Sequence, residues 1–266
     1  MKARILLTND DGIYSAGLWA AWEALSPIAD VRIVAPATQQ SAVGRSISIF
    51  EPIRAHEVEL QGARGIAVAG KPTDAVIIGL YALRLEPDLV VSGVNIGENL
   101  SFESIMTSGT VGAALEAANQ GTPAIAFSLQ VEDQGEKFDD PRCYGRSCEG
   151  AKEIVRDVVT RVLADGFPPE ADVINVNIPS RIRGGYEVTR LSRKLFHTGV
   201  EQRLDPRKRP YYWINGPLVE DAEEGTDVHA VRKGNISVTP ITLDCTAHRA
   251  DGTMRQLFPP DGPGPS

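Results

Sequence analysis

No stretch of the chain approaches the roughly 18 uninterrupted apolar residues that a membrane-spanning helix needs. The N-terminus runs into Ile5-Leu6-Leu7-Thr8-Asn9-Asp10-Asp11 without the charged and apolar pattern of a secretory leader. These absences predict a soluble, cytoplasmic protein. Cysteine is scarce: Cys143, Cys148 and Cys245 are odd in number, which excludes a fully paired disulfide framework, and the spacing of the first two matches no common zinc site, so reduced thiols are expected. Positive charge is also short. With 27 Lys and Arg against 35 Asp and Glu, a net charge of -8, and no basic block longer than Arg207-Lys208-Arg209, the chain lacks the concentrated cationic face that grips a nucleic-acid backbone. A small anionic ligand such as a nucleotide monomer stays open. Aromatic residues make up only 6% of a chain that is 42% hydrophobic, so the core must be largely aliphatic, and 266 residues suffice for one large core or a core with a small extension.

What the chain does have is a repeated beat. An apolar run at 3–9 ending in polar residues, followed by an amphipathic stretch at 17–25, reads as strand, loop and helix. The pattern continues with a strand at 30–35, a helix at 72–85 opened by Pro72, and a strand at 88–92. A small-residue helix at 109–120, a strand at 123–128, a helix at 149–164 and a strand at 172–178 follow. Such alternation predicts an α/β fold, a mostly parallel sheet flanked by helices on both faces. After Pro179 the beat changes. Segments 186–190, 211–215 and 236–243 read as strands with no helical periodicity between them, which predicts hairpins, and the charged stretches 204–210 and 220–227 read as solvent-facing turns or an oligomer contact. The expected organisation is a catalytic core over 1–180, a β-hairpin-rich extension of the same domain over 181–248, and a tail over 249–266 whose proline and glycine content predicts disorder.

Ligands of an open parallel sheet bind at the carboxyl ends of its strands, so the polar residues directly after strands carry the functional reading. Three loops stand out: Asn9-Asp10-Asp11-Gly12, the stretch from Gln39 to Ser46, and the stretch from Gly93 to Asn99. Adjacent aspartates repel each other and ionise together cheaply only beside a cation. The accompanying donors are hydroxyl and amide oxygens, which suit Mg²⁺, Mn²⁺ or Ca²⁺ rather than zinc. Asp-Asp-Gly is equally a turn sequence, with an Asx bond and a glycine at positive φ. Thr107-Ser108-Gly109-Thr110 at a helix start offers unpaired N–H groups and a positive dipole to an anion, or an ordinary hydroxyl cap. Other motifs fail. Gly65 to Pro72 has the spacing of a phosphate-binding P-loop but carries Pro72 where a magnesium-binding hydroxyl belongs, and its middle reads as strand. No G-x-S-x-G elbow is present. His56, His197, His229 and His248 stand alone, and Trp19 and Trp22 lie three apart as packing residues on one helix.

Five blocks occur in order: ILLTNDDGI at the start, SGVNIGEN at 92–99, SGTVGAALEA at 108–117, NVNIP at 175–179 and TDVHAVRKGNISVTPITLD at 226–244. In these the chain resembles the SurE family of metal-dependent phosphatases, or 5′/3′-nucleotidases, over nearly its whole length. The resemblance implies a Rossmann-like core and homodimers or homotetramers that exchange C-terminal segments through the extension. It implies one divalent metal ion per subunit, Mg²⁺ or Mn²⁺ ahead of Co²⁺ or Ca²⁺, held by Asp10, Asp11, Ser41 and Asn95. Phosphate would meet Asn9, Gly93, Asn95, Ser108, Gly109 and Thr110, with Asp10, Asp11 and Asn95 as the catalytic groups. The implied reaction splits nucleoside monophosphates, or other small phosphomonoesters, into alcohol and phosphate by attack of metal-activated water. One departure stands out: Gly70-Lys71-Pro72-Thr73-Asp74 replaces the family's usual Gly-Thr-Pro-Ala-Asp, so Lys71 either tunes substrate preference or is simply solvated. The rival reading is a phospho-acceptor signalling domain. It requires a third aspartate at the carboxyl end of a middle strand, whereas Asp88 begins its strand.

Overall fold

The computed structural model describes residues 2–60, 62–132 and 148–258; Cys143 and the Pro259–Ser266 end of the expected tail lie outside the described residues. Its centre is β1 (Arg4–Thr8), flanked in parallel by β2 (Asp30–Pro36) and by a later strand, Leu89–Ile96. A helix, α1 (Ala16–Leu25), links the first two strands. Beyond β2 the sheet continues through a hairpin of β3 (Arg54–Leu60) and β4 (Ala63–Ala69), with β4 parallel to β2 and β3 antiparallel at the edge. After α2 (Pro72–Ile77), which runs on into a π-helical turn at 78–82, comes β5 (Leu89–Ile96). Two helices, α3 (Ser101–Thr107) and α4 (Gly109–Asn119), precede β6 (Ala124–Leu129), and α5 (Cys148–Asp165) precedes β7 (Val173–Ile178). From β2 through β7 the ladder β2-β1-β5-β6-β7 is wholly parallel, as the alternating pattern predicts.

The helices cover both faces, so the inner strands are buried on both sides and read as continuous apolar runs. Successive residues of β1 show the division: Ile5 and Leu7 join α1 and α5 in one core cluster, while Leu6 joins α2 and α4 in the other.

The region after Pro179 departs from the expected hairpins. The strands β8 (Tyr186–Val188) and β11 (Ile236–Ile241) do not form a separate β unit. Instead β11 pairs antiparallel with β7, and β8 pairs parallel with β11, which extends the central sheet to nine strands. Only β9 (Gly199–Leu204) and β10 (Pro210–Asn215) make the expected type of hairpin, an exposed two-stranded ribbon. Between them and β11 lies a helix absent from the sequence reading, α6 (Asp227–Lys233), capped by Thr226, whose hydroxyl oxygen accepts from the His229 N–H. Seven residues are too few to display helical periodicity. Part of the stretch read as an unpacked tail is also helical, as α7 (Asp251–Leu257). Cys148 is buried, Cys245 is exposed, and the two form no disulfide with each other. Among the described residues no helix is long and apolar enough to cross a membrane.

Where α1 meets the sheet its backbone lies directly on β5: a Cβ on Gly17 would fall 2.0 Å from the carbonyl oxygen of Val94. Backbone cannot yield as a flexible side chain does. Gly17→Ala is expected to destabilise the fold by about 3 kcal/mol, the upper part of the usual overpacking range. Gly150→Ala, on α5 with open space around it, should be neutral or stabilising by up to about 1 kcal/mol. Urea unfolding of the two variants measures both signs.

Candidate functional site

The site is built on the turn that ends β1. Asn9 is fully buried and locks that turn: its Oδ1 accepts from the Gly12 N–H at 3.2 Å, and its Nδ2 donates to Ser15 Oγ at 2.7 Å. Ser15 in turn caps α1 by accepting from the Leu18 N–H. Asp-Asp-Gly is therefore a turn, and it presents Asp10 and Asp11, only 5% and 6% exposed, at the centre of the sheet's carboxyl end.

Neither carboxylate has a cationic partner among the described residues. Asp10 Oδ1 accepts from Thr110 Oγ1 at 2.5 Å. Asp11 accepts from the Ile96 N–H at 3.1 Å and from Gln39 Nε2 at 3.3 Å. Burial pushes the Asp10 carboxyl up to about 7, and the charge of Asp11 adds to the rise against the donors from Thr110. Burial likewise pushes Asp11 up to about 6, opposed by the Ile96 and Gln39 donors. The pair is left with an uncompensated negative charge near neutral pH.

The other two strand-end loops close on this pair. The long connection after β2 is tied down where Gln40 N–H donates to the Asp10 carbonyl at 2.7 Å and Gly44 N–H donates to the Thr107 carbonyl at 2.8 Å. Arg45 pairs with Glu116 of α4 at 2.9 Å, and Ser48 donates to the buried Asp74 through both its N–H and its hydroxyl. The same connection carries Ser41. In β5 the register shifts between Ser92 and Asn95, beside a cis Gly93–Val94 peptide. Gly93 has φ +128, and a Cβ there would sit 2.3 Å from the Phe127 carbonyl oxygen, so the bulge requires glycine. Beyond it Asn95 donates Nδ2 to the Gly97 carbonyl at 2.7 Å, which fixes the orientation of its amide.

Asp10, Asp11, Ser41 and Asn95 all line one cleft of about 470 Å³. Two carboxylates, a hydroxyl and an amide oxygen fit the hard divalent cations. Glu98 is a third carboxylate in the lining, yet among the described residues no group of three or more His, Cys, Asp or Glu side chains is placed to hold a metal. Of the residues read as phosphate-binding, Asn95 and Ser108 also line the cleft. Asn9, Gly93, Gly109 and Thr110 are not among its lining residues. Ser108 caps α4 by accepting from the Val111 N–H, so the turn is a hydroxyl cap. Lys71 is neither in the cleft nor idle in solvent: its Nζ donates to the Ile47 carbonyl at 3.2 Å and tethers the loop after β2. Residues 65–69 of the rejected P-loop stretch belong to β4.

Sequence reasoning missed Gln39 as a partner of Asp11 and Ser104 of α3 as cleft wall, whereas Thr107, part of the helix-start segment it singled out, does line the cleft. It also missed a buried amide network that runs from the cleft-lining Asn99 into β7. The Asn99 N–H donates to Asn177 Oδ1 at 2.8 Å, and the Asn99 carbonyl accepts from Asn175 and Asn177. The signal was present as two asparagines alternating with apolar residues in a fully buried strand.

Residues 5–198 match the family described as Survival protein SurE. The chain is similar to 5′-nucleotidase SurE of Methanoregula boonei, 76% identical over 258 residues that cover 97% of this chain and 99% of that protein. It is similar also to 5′-nucleotidase SurE of Methanoculleus marisnigri, 74% identical over 258 residues, or 97% of this chain and 98% of the other. Its fold is similar to the crystal structure of SurE protein from Aquifex aeolicus, with a TM-score of 0.81 and 35% identity over 96% of this chain and 99% of that one.

The buried acidic pair sets a pH dependence for the metal-free protein. Each carboxyl has a folded-state value above its unfolded one of 3.8, so the folded state holds extra protons. The ionisation penalty is absent at pH values below the unfolded value and is felt fully above the folded one. In EDTA, stability should therefore fall as pH rises from about 4 to about 7. Asp10→Asn, which cannot ionise, should gain on the unsubstituted protein by about 1 kcal/mol or more across that range. Urea unfolding of both proteins at several pH values tests the sign; parallel curves would contradict it.

Proposed function

The chain belongs to the SurE family, and from that membership together with the acidic cleft we propose that it hydrolyses the phosphate ester of nucleoside monophosphates with one divalent cation, Mg²⁺ or Mn²⁺ foremost. Relatives that cover nearly the whole chain bear the name 5′-nucleotidase. The observation that carries the chemistry is the adjacent, buried Asp10 and Asp11 with no cationic side chain between them among the described residues. A cation held by these two, Ser41 and Asn95 would supply Lewis acidity toward a phosphoryl oxygen and make a water more acidic.

The chain's own groups do the rest. Asp10 and Asp11 stay ionised when a cation offsets their repulsion, and Asp10 is the group we assign to take the attacking water's proton. Ser108, whose oxygen accepts from Val111, keeps its own proton for a phosphoryl oxygen. The Gly109 N–H opens α4, has no carbonyl one turn back to bond, and faces negative charge along the helix dipole. Asn95 adds its amide to the same wall. A cleft of this size suits a small monoester, and a net charge of -8 disfavours long polyanions. The exposed Tyr212, Trp213 and Ile214 of the β9–β10 ribbon, with Met254 and Leu257 of α7, are the side chains we assign to contacts between copies in a homodimer or homotetramer. The setting on this reading is the cytoplasm.

A panel of nucleoside 5′- and 3′-monophosphates tests the proposal after EDTA treatment and separate return of Mg²⁺, Mn²⁺, Co²⁺ and Ca²⁺. EDTA should abolish turnover, and Mg²⁺ or Mn²⁺ should restore it. Asp10→Asn should lower kcat/KM by about 100-fold or more with the fold retained. Turnover indifferent to EDTA, or a hydroxylamine-trapped acyl phosphate on an aspartate, would overturn direct attack by water.

A further inference from the structure

We propose that Thr110 is a positioning residue of the cation site: its hydroxyl holds Asp10, the turn at 108–110 is shaped around that carboxylate, and the hydroxyl is not presented to the phosphoryl group. The proposal rests on the reading above that Asp10 ligates the cation.

A hydroxyl has one proton, and an ionised carboxylate only accepts. The 2.5 Å contact between Thr110 Oγ1 and Asp10 Oδ1 therefore commits that proton to Asp10. Thr110 is fully buried and does not line the cleft, so a phosphoryl group seated there would meet Ser108 first. The far side of the hydroxyl is also taken. Asn99 Nδ2 lies 3.4 Å from Thr110 Oγ1 as a donor and is itself held at 2.8 Å from Ser128 Oγ. Asn99 is in turn bound through its backbone to Asn175 and Asn177 of β7. The orientation of one threonine hydroxyl thus follows from a neighbouring strand.

Gly109 supplies an independent observation. A Cβ at that position would lie 2.7 Å from Asp10 Cβ and 2.9 Å from Asp10 Oδ2. The missing side chain is what lets the start of α4 close on the carboxylate. With Oδ1 engaged by Thr110 and the backbone of Gly109 against the same carboxylate, Asp10 is fixed before a cation arrives.

Calorimetric titration of Mn²⁺ into EDTA-stripped protein tests this, with Thr110→Val and Thr110→Ser beside the unsubstituted chain. Loss of the partner that orients a metal ligand commonly weakens metal binding by about 10–100-fold, which is the change expected for Thr110→Val. Thr110→Ser, which keeps the hydroxyl, should restore most of the affinity. The inhibition constant of inorganic phosphate, measured at saturating Mn²⁺, should be the same in all three proteins. An unchanged Mn²⁺ affinity in Thr110→Val, or phosphate binding weakened at saturating metal, overturns the proposal. Failure of the unsubstituted chain to bind Mn²⁺ would remove the underlying reading, a result distinct from either. If Thr110→Val does not fold, Gly109→Ala carries the test. It should weaken Mn²⁺ binding by displacing the Asp10 carboxylate, and an unchanged affinity there would equally overturn the proposal.

Discussion

Two carboxylates buried side by side at the end of the central strand, with no positive side chain beside them among the described residues, are the constraint on which the rest of the site depends. Their position follows from sheet order: β1 lies between β2 and β5, so the loops after all three strands surround the carboxyl end of β1. Burial of an ionised carboxylate is expensive without compensation, and the donors available, the Thr110 hydroxyl, the Gln39 amide and the Ile96 N–H, soften the charge without cancelling it. A flexible turn would let the two side chains swing into water and relieve the repulsion. The locked turn of Asn9, Gly12 and Ser15 withholds that escape.

How much of this was legible depends on burial. The strands β1, β2, β5, β6 and β7 are covered on both faces, so their apolar runs announce them, and the polar residues after them announce the site. At the edges the same logic fails. β3 has the sequence Arg-Ala-His-Glu-Val-Glu-Leu and lies exposed, with too little apolar content to read as a strand. The seven-residue helices α3 and α6 are too short for their period to appear. The pairing of β11 with β7 joins segments about sixty residues apart by a register that only long-range contact fixes.

At the site, residue types proved more legible than residue tasks. Oxygen donors and helix-start hydroxyls could be gathered from the three loops, but not which of them line the cleft and which stand behind it. That division depends on side-chain direction at close quarters. Ser108 and Thr110 lie two apart in one motif, yet one lines the cleft and the other is buried against Asp10. Lys71 illustrates the same limit, because a carbonyl on another loop decides its task.

The end of the chain also reaches the site, through Asp227. Its buried carboxylate accepts from the Ser101 N–H at 2.7 Å and the Ser192 N–H at 2.8 Å, besides the Val228 N–H, and burial holds its carboxyl above the usual carboxylate range. The Phe102 N–H adds a bond to the Ser192 carbonyl at 2.8 Å. These contacts fasten the first residues of α3, where Ser101 takes φ +70, a conformation uncommon for a residue with a side chain. An isolated helix shorter than about 12 residues is marginal in water, so α3 cannot hold its place by its own hydrogen bonds. Yet α3 supplies Ser104 and Thr107 to the cleft wall. The wall therefore stands because a carboxylate more than a hundred residues further along the chain anchors it, and this is why α6, β11 and β8 belong to the architecture of the site as much as the strand that carries the acidic pair.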